Sequence, residues 1–282
     1  MQCKELAALV VEQITVPSQF LQRDVTIDIY RPTTFSPNDK LSLLLINDGQ
    51  DLPKMPFAPL LNELLINGVI HPLFCIGIHA GEDRRMEYGT AKVLDFMQRG
   101  AKAELHAQFV LFELLPLLKE TYHLQGNLDM AYAGFSLGGL AAIDMVWNYP
   151  QLFSIAGVFS GSLWWRSKDL DQGYNEDTDR IMHQQVRMGK YHAGQRFYFT
   201  TGSQDETADR NNNGIIDSID DTLGLIEELK KKGYTDKDIH YINYEDGRHD
   251  VETWARALPA FLEWGWGNKA SRFPTSSPAE SC

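Results

Sequence analysis

Apolar residues along the chain fall into two alternating patterns. Residues 41–46, 72–78, 130–133, 155–159, 197–201 and 239–244 are short, nearly uninterrupted apolar runs, the length of strands buried on both faces. Residues 22–31 instead alternate, with Val25, Ile27 and Ile29 on one face, which predicts a half-buried antiparallel strand near a sheet edge. Between the runs lie helical patterns over residues 57–67, 103–122, 137–148, 219–232 and 251–264; in the second, Phe109, Phe112, Leu115 and Leu118 recur at helical spacing. Strands alternating with helices predict an α/β fold with a mostly parallel central sheet and helices on both faces. Two polar stretches, residues 81–100 and 164–194, interrupt the alternation, and long insertions of this kind are expected to be lids, substrate-binding loops or disordered segments. No repeat or linker divides residues 1–267, so a single domain is expected there, followed by a flexible tail over residues 268–282.

Composition narrows the partners more than the chemistry. With 43% hydrophobic and 23% charged residues, the 282-residue chain is ordinary globular material. A formal net charge of -12 argues against nucleic acid or an anionic membrane surface as partner. No apolar run approaches the ~20 residues of a membrane-spanning helix. The N-terminus lacks the basic and apolar regions of a secretory leader, so the expected setting is the cytoplasm, although a chain trimmed of its leader would read the same. Cys3, Cys75 and Cys282 are too few and scattered for a disulfide framework or zinc site, and Cys75 reads as core. No pattern assigns an oligomeric state.

Candidate chemistry starts at Gly134-Phe135-Ser136-Leu137-Gly138. This G-x-S-x-G sequence lies between a predicted strand and a predicted helix, the context of a nucleophile elbow. A sharp turn there exposes the serine hydroxyl at a helix N-terminus, where developing negative charge is favoured. Serine needs an adjacent base, and in this architecture the chain order is serine, acid, histidine. Of eight histidines, at 71, 79, 106, 123, 183, 192, 240 and 249, His249 follows a late strand and precedes the last helix, with Trp254 on its early turns. Asp205, just past the strand over residues 197–201, is the favoured acid, with Glu206 and then Asp217 as competitors. The oxyanion hole is expected from the backbone N–H groups of Leu137 and of Gln50, which follows the early buried strand.

These pieces resemble the esterase D / enterochelin-esterase-like group of α/β-hydrolases. The likeness rests on residues 43–51 (LLLINDGQD), the GFSLGG elbow, residues 159–165 (FSGSLWW), residues 202–205 and residues 247–254 (GRHDVETW), with Arg85, Glu87 and Tyr88 in an R-x-E-Y segment. It covers roughly residues 25–265. The resemblance implies the α/β-hydrolase fold and a serine carboxylic-ester hydrolase that works through an acyl-enzyme on a small-molecule ester, without an organic cofactor. The group spans siderophore, feruloyl and acetylxylan esterases, S-formylglutathione hydrolases and mycolyltransferases, so the substrate stays open among siderophore-like, aryl and acyl esters. Acyl transfer on the same triad, or a non-catalytic binding protein on this fold, are the alternatives. Arg85, Tyr88, Trp164 and Trp165 are candidates to line a substrate pocket, or equally to pack beneath the insertions.

One segment departs from the group. From Asp209 the chain places Asn211, Asn213, Gly214, Ile215, Asp217 and Asp220 at the spacing of an EF-hand-type calcium loop, with Ile215 supplying a backbone carbonyl and the shorter Asp at the last position. The expectation is a structural calcium ion steadying the loop beside Asp205, against a solvated turn capping the next helix.

Overall fold

The computed structural model describes residues 2–35, 41–124 and 128–268, with backbone only for residues 2–5. Nine strands form one sheet: β1 (Gln2–Glu5), β2 (Leu9–Ser18), β3 (Arg23–Pro32), β4 (Ser42–Asn47), β5 (Leu73–Ile78), β6 (Asp129–Phe135), β7 (Phe153–Phe159), β8 (Arg196–Gln204) and β9 (Ile239–Arg248). Their order across the sheet is β1-β2-β3-β5-β4-β6-β7-β8-β9. The first three strands join antiparallel, β3 meets β5 antiparallel, and every later neighbour is parallel. This is the α/β-hydrolase fold.

The helices are α1 (Phe57–Ile66), α2 (Arg84–Glu87), α3 (Ala103–Gln108), α4 (Leu115–Thr121), α5 (Leu137–Asn148), α6 (Glu176–Asp179), α7 (Ile181–Met188), α8 (Asp217–Lys232) and α9 (Val251–Trp266). The apolar run of β4 shows how the sheet is sealed on both sides. Leu43 and Leu45 join the core shared by α3, α4, α5, α7 and α8, while Leu44 and Ile46 face the core of α1 and α9. Side chains alternate across a strand, so only a run without polar breaks serves both faces. Each fully buried leucine contributes about 1.5–3 kcal/mol by leaving water. Cys75 sits buried in the α1–α9 core as a free thiol.

The structure departs from the predicted elements in several places. Neither β1 nor β2 is among the predicted strands; β2 pairs along its whole length with β3, and Pro17 lies beyond Gln13, the last residue that β1 pairs with, where its missing N–H breaks no ladder to β1. The helix expected over residues 103–122 is interrupted by a π-helical turn, Phe109–Leu114, directly before Pro116 of α4, where proline has no N–H to continue the ordinary ladder. The stretch over residues 164–194 is folded, with Ile181, Met182, His183 and Val186 of α7 buried. The stretch over residues 81–100 is tied down by ion pairs: Arg23 Nη2 reaches buried Glu87 at 2.6 Å, and Asp95 pairs with Arg99. Burial alone would raise the Glu87 pKa, but the hydrogen bonds and charge of Arg23 outweigh it and hold Glu87 below its ordinary value. Asn268, the first residue of the expected tail, bonds Val69 O and Gly68 O; residues 269–282 lie outside the described residues.

Candidate active site

Ser136 stands between β6 and α5 at φ 55°, ψ -123°, a left-handed conformation rare for a residue with a side chain. The flanking glycines make that turn possible. A Cβ on Gly134 would lie 2.3 Å from the Gly138 carbonyl oxygen, and one on Gly138 would lie 2.7 Å from Asp48 Oδ2. Four backbone bonds pin the elbow: Ser136 N–H donates to Phe159 O at 2.8 Å, and Ser136 O accepts from Gly139, Leu140 and Ser162. Beneath it, Asn47 Nδ2 donates to Gly138 O (2.9 Å), and the Tyr132 hydroxyl donates to Asn47 Oδ1 (3.0 Å). His106 Nε2 then lies 3.2 Å from that hydroxyl, and burial pushes the His106 pKa down to about 4, so the ring is neutral and donates from Nε2.

His249 Nε2 lies 2.8 Å from Ser136 Oγ. The ring precedes α9, whose N-cap Asp250 accepts the Thr253 N–H, and it meets Trp254 edge-on at 5.2 Å. Trp254 in turn stacks on Phe135 and donates its Nε1–H to Ser160 Oγ (3.1 Å), so one indole spaces the base from the elbow strand. His249 is open to solvent at one edge, yet enough protein surrounds it that lost hydration lowers its pKa. Asp205 pulls the other way, and Arg84 lowers it further.

Asp205 borders the same pocket, of about 240 Å³, as Ser136 and His249. Its Oδ2 accepts the Gly202 N–H at 3.0 Å, and its Oδ1 is buried without a hydrogen-bond partner. Among the described residues, no hydrogen bond joins Asp205 to His249; the coupling seen is electrostatic. Burial raises the Asp205 pKa, while the Gly202 N–H, the Ser160 hydroxyl and His249 oppose that rise. Of the competing acids, Glu206 borders the pocket, but burial and the charges of Asp217, Asp221 and Asp205 raise its pKa against the pull of the Ser218 N–H, and His249 is not among the groups acting on it. Asp217 instead accepts the Arg210 N–H and pairs with the Arg210 guanidinium. Of these three acids only Asp205 acts on His249 through its charge; Asp250, next in the chain, adds a smaller pull in the same direction.

The coupling predicts a pH profile. If His249 serves as the base for Ser136, the unprotonated ring is the working form, and kcat/KM is expected to rise with pH through a midpoint below the ordinary imidazole value. Asp205→Asn removes an anion that favours the imidazolium and should move that midpoint further down. Arg84→Gln removes a cation and should move it up. Kinetics on an ester without ionisable groups would read both shifts, and an unmoved midpoint in Asp205→Asn would show that Asp205 does not act on His249.

The remaining expected residues separate. Leu137 N–H and Gln50 N–H, the anticipated oxyanion donors, have no acceptor among the described residues. The Gln50 side chain turns aside, accepting the Ala80 N–H and donating to Asp48 Oδ1. Trp164 lines the pocket, but Trp165 is wholly buried in the core with its ring on the Cβ side of Gly89. Tyr88 is also wholly buried, and its hydroxyl accepts the Asp48 N–H at 3.1 Å, so it shapes the Asp48 turn rather than a substrate pocket. Arg85 is exposed; the arginine that matters is Arg84, which binds both Asp48 oxygens at 2.6 Å and reaches Phe135 O. Ser160, Ser162 and Ser218 also border the pocket, Ser162 with its Oγ 3.4 Å from Ser136 Oγ. The first two follow β7, the parallel neighbour of the elbow strand, and that strand-end position was the available signal.

In the loop over residues 209–220, Asp209 accepts the Asn213 and Gly214 N–H groups, Asn213 Oδ1 accepts the Ile215 N–H, and Asp220 accepts from the Asn211 and Asn213 side-chain amides. The loop is closed by its own amides, and among the described residues no three carboxylates, imidazoles or thiols gather at metal-ligand spacing. Among the same residues, no helix is long and apolar enough to cross a membrane.

Residues 18–264 match the model of a protein family described as putative esterase. A Bacillus subtilis (strain 168) protein described as uncharacterized protein YjcH is 23% identical over 253 residues, covering 87% of this chain and 93% of that protein. Among solved structures, the enterobactin esterase FES of Shigella flexneri superposes with a TM-score of 0.70 at 20% identity, covering 93% of this chain. This chain spans 60% of the length of FES. An IroE-like serine hydrolase from Shewanella oneidensis gives 0.68 at 18% identity, covering 90% of this chain and 79% of that one. At these identities the structural likenesses establish the shared fold.

Proposed function

Because the chain belongs to the putative esterase family, we propose that it is a serine carboxylic-ester hydrolase acting through an acyl-enzyme. The observation that carries this reading is the 2.8 Å contact between His249 Nε2 and the hydroxyl of a serine held in a left-handed elbow. Ser136 Oγ attacks the ester carbonyl as His249 takes its proton, and the Leu137 and Gln50 N–H groups receive the developing oxyanion. His249 then protonates the departing alcohol, activates water, and returns the proton to Ser136 as the acid leaves. Asp205 stabilises the imidazolium through its charge, and the missing direct bond is the kind that tightens when substrate closes the site. The pocket is small and bordered by Trp164, which favours compact acyl and aryl esters; the enterobactin esterase that FES is named as keeps siderophore-like esters on the panel.

The test is a panel of short acyl, aryl, feruloyl and catecholate esters together with a fluorophosphonate probe. The expected result is turnover of at least one ester class and probe attachment at Ser136, located by peptide mass. A protein that neither turns over the panel nor takes the probe is not a serine hydrolase. Added alcohol or thiol acceptors would report acyl transfer by diverting the acyl group from water.

A further inference from the structure

The pocket beside Ser136 carries polar atoms that the hydrolytic steps leave unused. Glu206 Oε1 and Ser218 Oγ are both buried, both without a hydrogen-bond partner, and both residues line that pocket with Ser136 and His249. Ser218 is only 7% exposed, and it stands in the first turn of α8. The Ser218 N–H supports the Glu206 carboxylate, which makes the two residues neighbours in the pocket, and because buried polar atoms are nearly always bonded, the two atoms left over point to a ligand group. The charge of the wall says which group. Asp205 and Glu206 both border the pocket, and among the described residues no lysine or arginine lines it. Arg84, which acts on His249, is spent on Asp48, and Arg99, which lies over Trp164, is spent on Asp95. Arg210 and Arg180, behind the wall, are likewise tied to Asp221. The pocket therefore offers acceptors and two carboxylates whose ionisation burial opposes and no lining cation supports.

We propose that Glu206 and Ser218 form a specificity subsite that takes a protonated amine carried by the ester substrate. This rests on the hydrolase reading above and narrows it. An ammonium group has three donors and a charge, so it satisfies Glu206 Oε1 and Ser218 Oγ together and neutralises the wall. A hydroxyl supplies one donor and no charge, a methyl group supplies neither, and a carboxylate or catecholate anion is repelled by Asp205 and Glu206. Glu206 acts on the substrate and is separate from the Ser136–His249 proton transfer.

Four 4-nitrophenyl esters of matched length, made from 6-aminohexanoate, 6-hydroxyhexanoate, heptanoate and pimelate, read the preference directly. The expected order of kcat/KM is amine, hydroxyl, methyl, carboxylate, with amine over methyl by about 10- to 100-fold. Glu206→Gln should bring amine and methyl esters to within a few-fold of each other while probe labelling of Ser136 persists. Ser218→Ala, a milder change, should lower the amine preference several-fold with an unchanged melting temperature. Binding is measured separately by titrating Ser136→Ala, which needs no turnover, with the methyl esters of 6-aminohexanoate and heptanoate. Equal binding of the two overturns the subsite, whatever the wild type hydrolyses. Amine-selective binding that Glu206→Gln abolishes, in a protein that neither cleaves an ester nor takes the probe, would uphold the subsite and remove the hydrolase reading.

Discussion

Replacing Ser136 by alanine is expected to lower kcat by roughly 10⁴- to 10⁶-fold, with KM changed little, because the acylation route disappears while the pocket stays intact. The control is Ser162→Ala. Ser162 Oγ lies 3.4 Å from Ser136 Oγ but has no imidazole partner among the described residues, so that variant should keep most of its activity. Activity surviving in Ser136→Ala and lost in Ser162→Ala would transfer the nucleophile to the wrong serine for the proposed mechanism. Thermal unfolding adds a readout that chemistry alone cannot mimic. At φ 55°, ψ -123° a Cβ is strained, and alanine keeps that Cβ whereas glycine does not. Ser136→Gly should therefore be more stable than Ser136→Ala by about 1–3 kcal/mol, both being inactive. Equal stability would mean that the elbow stores no strain.

The second large effect is on stability, at Asp221. This carboxylate is wholly buried in α8 and binds two arginines: Arg210 Nη1 at 2.9 Å and Arg180 Nη1 at 3.0 Å. Its backbone carbonyl lies 2.8 Å from His183 Nε2, and burial pushes the His183 pKa down to about 3, so that ring stays neutral. Arg180 and His183 belong to the polar stretch over residues 164–194, so Asp221 is a buried anchor of this stretch on α8, beside the Arg187–Glu228 pair. Asp221→Ala would leave the largely buried Arg180 guanidinium without its carboxylate and take one of three carboxylates from Arg210, which keeps Asp217 and Glu176, and should cost about 3–5 kcal/mol. That corresponds to a fall in melting temperature on the order of 10 °C. Asp246→Ala, which breaks a surface pair with Arg256, should leave the melting temperature nearly unchanged. Activity should also suffer in Asp221→Ala, because α8 presents Ser218 to the pocket. A melting temperature equal to the wild type's would show that the buried pairs do not hold the stretch in place.

Much of the site was legible along the chain because it obeys local rules. An uninterrupted apolar run makes a buried strand, G-x-S-x-G between strand and helix makes an elbow, and parallel strands deliver their following loops to one edge of the sheet. Those constraints put Ser136, Asp205 and His249 at the ends of β6, β8 and β9, on the same edge, before any contact is known. The fold class followed from the same alternation, whereas β2 did not, since its mixed apolar and charged positions become a strand only by pairing with β3.

What the tertiary structure decided is the wall around Ser136. Residue type does not tell Arg84 from Arg85, yet neighbouring positions on a helix point about 100° apart, so one clamps Asp48 and the other faces water. Trp164 and Trp165 read alike in sequence, but one lines the pocket and the other fills the core. Asp221 sits among acidic residues at the start of α8 with no mark in the sequence to set it apart, and its burial is explained by Arg210 and by Arg180, which approaches from a distant insertion. The same holds for Glu206 and Ser218, which meet across the loop over residues 209–217 beside the nucleophile. Backbone periodicity is a local property carried by consecutive residues, whereas burial, pairing and orphaned polar atoms are set by segments that meet only once the sheet has closed.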